Sequence, residues 1–143
     1  MSNCRTIQTI TARSAQALLT AAADAADKVG VPMCIAVSDV GGNLAGFLRM
    51  DGAALLSIDI AINKAYTAVG FGMPTHSWHD FIKDDAPLAL GIVHTPRLVT
   101  FGGGYPIRSD GAVIGGIGIS GGHYHQDMDV ATAALEALGY SVD

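Results

Sequence analysis

The stretch YPIRSDGAVIGGIGISGG, residues 105–122, decides how the rest of the chain is read. Two apolar runs flank Asp110-Gly111, and an Asp-Gly pair in that setting is a strong short signal for a β-hairpin. In the second run Gly116 and Gly118 alternate with Ile117 and Ile119. Side chains alternate across a strand, so one face of this run is almost bare. A bare face marks the close approach of another backbone or of a flat ligand. Earlier in the chain, MCIAVSDV and NLAGFLRM meet through Gly41-Gly42, with Gly42-Asn43 suited to positive φ. That is a second hairpin.

Helical patterns surround the hairpins. Residues 11–29 are rich in alanine, with Thr11 as N-cap, Gly30 as the stop, and Leu18, Ala22, Ala25 and Val29 on one stripe. Residues 54–71 return to helical period, with Ile58, Ile62, Ala65 and Val69 on a shared face. THSWHDFIKDD, 75–85, reads as a short helix capped by Thr75, and 86–104 as a Gly/Pro-punctuated loop. DMDVATAALEAL, 127–138, is a last helix ended by Gly139. The order α-β-β-α-α-β-β-α predicts an α+β fold, an antiparallel sheet covered on one side by helices.

Composition narrows the function. The chain has 143 residues, which fits one domain, 1–143, with residues 1–10 as an N-terminal tail. Its net charge is −5 with no basic cluster, which disfavours nucleic acid and leaves a metal, a cofactor or a small metabolite. There is no apolar signal-peptide region at the N-terminus and no run long enough for a membrane span. Cys4 and Cys34 form no C-x-x-C and read as reduced thiols, so the expected setting is cytoplasmic.

IAVSDVGGNLAGFLRMDGA (35–53), SIDIAINKAYTAVGF (57–71) and GGGYPIRSDGAVIGGIGISGG (102–122) together resemble the GlcG/HbpS-like, DUF336-type family, from Ile10 to Leu138. The resemblance implies a profilin-like fold, self-association into homo-oligomers, often octamers, and in some members haem binding. Two departures stand out. His123-Tyr124-His125 replaces short, non-histidine residues between the glycine pair and Gln126-Asp127, and the first helix has no histidine, where some haem-binding relatives use one.

The residues offer several candidates. In an extended loop His123 and His125 point the same way, so both imidazoles can address one haem or divalent metal, with Asp127 adding a carboxylate. Gly121 and Gly122 and the adjoining helix start offer backbone N–H groups to an anionic ligand. The plain alternative is a polar turn whose Asp127 complements the helix dipole. His76 and His79, at i and i+3 on one helical face, offer a weaker metal pair around Trp78, which either lines a pocket or, by default, packs; His94 stands alone. Arg49 and Lys64 are expected either to pair, Arg49 with Asp51 or Asp59 and Lys64 with Asp39, or, with Tyr66, to bind a carboxylate ligand. Tyr105 follows three glycines that either form a ligand-facing loop or a bulged strand entrance.

Two main functions follow. One is a haem- or metal-binding protein in which His123 or His125 is the ligand and the bare strand admits the macrocycle. The other is a small catabolic enzyme, an isomerase, tautomerase, hydratase or lyase. There a histidine of the 123–125 loop, His123 or His125, acts as general acid or base, with Tyr124 between them, and Arg49 or Lys64 stabilises an enolate or carboxylate. A third is an oligomeric accessory scaffold.

Overall fold

The computed structural model describes residues 2–143. Helix α1 (Ala12–Val29) leads into strands β1 (Cys34–Asp39) and β2 (Leu44–Arg49), then helix α2 (Ser57–Phe71). A 3₁₀ turn (Thr75–Ser77) and two short helices follow, α3 (Trp78–Ile82) and α4 (Ala86–Ile92). Strands β3 (Gly104–Ser109) and β4 (Ala112–Ser120) and helix α5 (Tyr124–Ala137) complete the chain. The four strands form one antiparallel sheet in the order β2-β1-β4-β3, so the two hairpins join through β1 and β4 at its centre.

Both hairpins follow their turn chemistry. Asp110 and Gly111 both take positive φ, 50° and 80°, as a type I′ turn requires. At the first turn the Asp39 carboxylate accepts from the backbone N–H groups of Gly41 and Asn43, each at 2.9 Å. Asp39 is therefore a turn residue and not the partner of Lys64. Helix α1 is capped at both ends as predicted: Thr11 accepts from the Ser14 N–H, and Gly30 sits at φ 81°.

Helices cover both faces of the sheet, which corrects the one-sided arrangement expected from the element order. Ile35, Val37, Ile117 and Ile119 point to one face and pack with residues of α1 and α5 in the larger core. Along α1 the buried stripe is Ala15, Leu18, Leu19, Ala22 and Ala26, and Val29 is exposed. On the opposite face lies α2, over Cys34 and Ala36 of β1.

This second face explains the bare strand. A Cβ on Gly116 or Gly118 would collide with the carbonyl oxygen of Ala65 or Ala61 in α2. The glycines thus admit a helix backbone, and the space foreseen for a macrocycle is filled by α2. The same contact selects the buried residues of α2, Ala61, Lys64, Ala65 and Ala68, while the larger Ile58 and Ile62 sit at the flank.

The segment predicted to be a loop contains α4. Asp85 caps it by accepting from the Leu88 N–H, and Pro87 falls in its first turn, where a missing N–H is harmless. Thr75 is not a helix cap. It is fully buried, and its hydroxyl accepts from the Gly104 N–H at 2.9 Å, tying the 3₁₀ turn to the start of β3.

Candidate functional site

The turn 121–125 is folded more tightly than an extended loop. Helix α5 starts at Tyr124, so His123 is its N-cap, and Tyr124 and His125 form its first turn. The His123 Nδ1 accepts from the His125 N–H at 3.2 Å, while the Gln126 side chain accepts from the His123 N–H at 3.1 Å. These reciprocal bonds make a capping box with histidine in the place usually held by serine or threonine. An accepting Nδ1 carries no proton, so the neutral ring of His123 keeps its proton on Nε2 and presents no free lone pair. The His125 ring stacks on it at 4.9 Å between centroids and has no hydrogen-bond partner among the described residues. Of the two histidines, His125 is the one with a nitrogen free to bind.

Asp127 faces inward. Its Oδ2 accepts from Lys64 Nζ at 2.9 Å, and its Oδ1 accepts from the Gly122 N–H at 3.1 Å. Lys64 Nζ also donates to the Ile119 carbonyl at 2.8 Å. Both side chains are almost wholly buried, at 0% and 2% exposure. Burial pushes the Lys64 ammonium below its usual range, opposed by the Asp127 carboxylate. Burial likewise pushes Asp127 up, opposed first by Lys64 and then by the Gly122 N–H and His123. With both oxygens engaged, Asp127 does not stand beside the histidines as a third donor. No group of three or more His, Cys, Asp or Glu suited to a metal ion occurs among the described residues.

The glycine run is part of the same framework. A Cβ on Gly103 would lie 2.6 Å from Lys64 Nζ, and one on Gly104 would lie 2.6 Å from the Lys64 carbonyl oxygen. The run therefore presses against α2 as a strand entrance. Just before it, the Phe101 ring lies with its centroid 5.1 Å from Lys64 Nζ.

These elements enclose a cleft of about 500 Å³, lined by His76, His79, Asp80, Phe101, Gly102 and Tyr124, among others. Three separate segments meet there: the 75–80 turn, the 100–102 approach to β3, and the first turn of α5. Tyr124 connects the cleft to the histidine turn, its ring 4.1 Å from that of His123 and 4.5 Å from that of His125. His76 packs on the buried Tyr105, with ring centroids 5.5 Å apart. Burial holds the His76 imidazole below its usual pKa, so it stays uncharged and keeps a free lone pair at neutral pH. The volume falls within the range common for small-molecule sites, about 300–1,000 Å³.

The other candidates lie apart. The Arg49 guanidinium donates to the Ala53 carbonyl at 2.9 and 3.2 Å, replacing the expected pairing with Asp51 or Asp59, and borders a separate surface cleft beside Met50 and Asp51. Arg49 and Lys64 therefore do not converge. Tyr66 lies under the guanidinium of Arg97, 3.7 Å from its ring centroid, and lines a separate cavity with Trp78 and Leu98. Tyr105 is in the larger core, and burial raises its pKa, with Asp129 adding to the shift. Gly121 packs its backbone against Pro32 and Met33, while Gly122 gives its N–H to Asp127. The contribution of Phe101 to the cleft was not read from the sequence, since an isolated aromatic before a glycine run carries no periodic signal.

Comparison with known proteins agrees with the fold. Residues 10–136 match the family model described as haem degrading protein HbpS-like. An uncharacterized 15.0 kDa protein from the dhaT–dhaS intergenic region of Citrobacter freundii is 39% identical over 139 residues, covering 96% of this chain and 98% of its own. The corrinoid adenosyltransferase PduO of Salmonella typhimurium is 40% identical over 122 residues, covering 85% of this chain. This chain spans only 36% of that protein's length. The crystal structure of a PduOC–haem complex superposes with a TM-score of 0.86 at 36% identity, covering 94% of this chain and 98% of the other.

Proposed function

Since the chain belongs to the HbpS-like family, we propose that it binds haem in the cleft between the 75–80 turn, Phe101 and the start of α5. The observation that carries this reading is the placement of His76, His79, Phe101 and Tyr124 around one cavity of about 500 Å³. The donor set fits the group. His76 supplies an uncharged imidazole, and Phe101 and Tyr124 supply flat apolar walls for a planar ring. His125 does not line the cleft, but its ring lies 4.5 Å from that of Tyr124, which does, and it offers a second nitrogen donor nearby. Lys64 and Asp127 hold the walls in place from behind and do not touch the ligand. Bound haem would supply an iron centre, and the protein's part is to ligate and shield it. The relative solved as a haem complex supports haem as the ligand.

Self-association accompanies this proposal. Leu55, Leu56, Phe71, Phe81 and Leu90 are all more than half exposed, at 73%, 76%, 55%, 52% and 74%. That much exposed apolar surface fits burial between copies, as in the octamers that the resemblance implies. Among the described residues no helix is long and apolar enough to cross a membrane. A divalent metal is the weaker reading, since Asp127, the carboxylate expected to join His123 and His125, is turned inward onto Lys64. A second reading, a cofactor-free catalyst, rests on His76: an uncharged imidazole in a cleft is suited to take a proton from a small carbonyl metabolite.

The test is a haemin titration followed in the Soret region, on the wild type and on His76→Ala, His79→Ala, His125→Ala and His94→Ala. His94 does not line the cleft and serves as the control. The proposal expects saturation at a fixed stoichiometry, weakened strongly by His76→Ala and unaffected by His94→Ala. Saturation indifferent to all of the cleft variants would move haem elsewhere. No saturation at all would leave the cofactor-free reading.

A further inference from the structure

Helix α4 has almost nothing to pack on. Among the described residues it touches one other helix or strand, α3, and none of its seven residues is buried. From Ala86 to Ile92 it carries no polar or charged side chain, and Leu90 is 74% exposed. Helices in proteins owe most of their stability to the packing of an apolar face, and a short one is marginal without it. A helix of this composition is built to be covered.

A hole lies beside the helix. Ile92, at the end of α4, borders a cavity of about 240 Å³ whose other walls include Tyr66, Phe71, Trp78 and Leu98. No Asp, Glu, Lys, Arg or His lines this cavity, and it shares no lining residue with the proposed haem cleft. It is smaller than the about 300–1,000 Å³ usual for small-molecule sites, and it suits a single apolar side chain. Leu90 does not line it. The exposed knob and the rim of the hole are separated by Gly91, where an added Cβ would meet nothing within 4 Å, so another backbone can approach there. A two-fold contact repeats every pairing in both directions, so two copies of α4 can each fill the hole beside the other.

Charge agrees with that symmetry. Asp84 and Asp85 precede α4, and His94 and Arg97 follow it, all of them exposed. In an antiparallel pair the acidic end of each helix faces the basic end of the other, and the two helix dipoles oppose. The same acids disfavour an anionic membrane surface as the cover. We propose that α4 is an interface helix between two copies of this chain, packed antiparallel across a two-fold axis. Leu90 of each copy then sits in the cavity that Ile92 borders in the other. This contact rests on the self-association proposed above, gives it a place on the molecule, and is separate from the haem cleft.

Trp78 lines the cavity and is the protein's one tryptophan, so its emission reports whether the cavity is filled. The experiment follows mass by sedimentation velocity, together with Trp78 emission, across a dilution series of the full chain. Wild type, Leu90→Asp and Leu55→Asp are compared. Leu55 is 73% exposed and lines a different pocket, so it serves as the control. Wild type is expected to be an oligomer of even number. Leu90→Asp removes two leucines from each contact and puts two carboxylates in their place, which weakens the contact about a hundredfold or more. The mass then falls by half or more, and Trp78 emission moves to the red. Leu90 is exposed within one copy, so far-UV circular dichroism stays that of the wild type. Leu55→Asp is expected to leave Trp78 emission unmoved. A wild type that is monomeric at every concentration would overturn this contact together with self-association, leaving α4 for a different protein to cover. A wild-type oligomer whose mass and emission ignore Leu90→Asp would overturn this contact alone.

Discussion

Replacing Lys64 by methionine isolates the electrostatics that hold the candidate site together. Methionine keeps the unbranched stem and removes the ammonium, so little cavity term accompanies the change. What remains is the Asp127 carboxylate, 2% exposed, with a single donor left in the Gly122 N–H. Breaking a buried pair in this way costs about 3–5 kcal/mol, because a buried charge loses its counter-ion. For a chain of this size that lowers the melting temperature by roughly 10–20 °C. The loss depends on pH, and its sign follows from burial. Asp127 is already pushed up by desolvation, and Lys64 is the largest influence opposing that shift. Without Lys64 its folded pKa rises further above the unfolded value of about 3.9. The folded state then binds the proton more readily than the unfolded state, so stability is regained as pH falls and lost as pH rises through the folded pKa. Urea denaturation of wild type and Lys64→Met at about pH 8 and about pH 5 measures this directly. Asp127→Asn added to Lys64→Met keeps an acceptor for Gly122 and is expected to recover more than half of the loss. A cost below about 1 kcal/mol at the higher pH, or one that does not shrink toward the lower, would refute the reasoning.

Other consequences are open to simple tests. Gly118→Ala drives a methyl group into the Ala61 carbonyl and is expected to destabilise by about 1–3 kcal/mol or more, seen as an early thermal transition. His123→Ala removes the cap of α5 at a cost of about 1 kcal/mol, and His123→Asp restores it; neither is expected to change haemin affinity, which calorimetry and Soret titration would show. Because burial lowers the His76 pKa, ligation through this residue should persist to a pH below the ordinary imidazole value of about 6.5 and fail only beneath it. A haemin titration repeated across acidic pH would detect an earlier loss and so contradict that assignment.

Features governed by local chemistry were legible in the sequence. Asp110-Gly111 announced its hairpin because only a few residue pairs tolerate two successive positive φ angles. Thr11 and Gly30 announced α1 for similar reasons. The alternation of Gly116 and Gly118 was read correctly as a place of close approach, but sequence alone does not say what approaches, and α2 takes the space. Family resemblance supplied the architecture that these local signals left open.

The site was only partly legible, because its parts come from distant segments. Lys64 and Asp127 are 63 positions apart, and nothing in either neighbourhood favours that pair over the nearer Asp39. His76, Phe101 and Tyr124 meet only after β3 is tied to the 3₁₀ turn through Thr75. The His-Tyr-His turn was correctly noticed and differently used. His123 gives its acceptor nitrogen to a helix cap, a role usually taken by smaller polar residues, and of the turn Tyr124 lines the cleft.

The central claim concerns where haem binds, and paramagnetic broadening of backbone amide resonances on adding haemin locates it most directly. The account predicts that signals from residues 76–80, 100–103 and 123–126 broaden first, while those of α1 and of the Arg49 surface stay sharp. Broadening centred on α1 or around Arg49, with the 76–80 turn untouched, would contradict it.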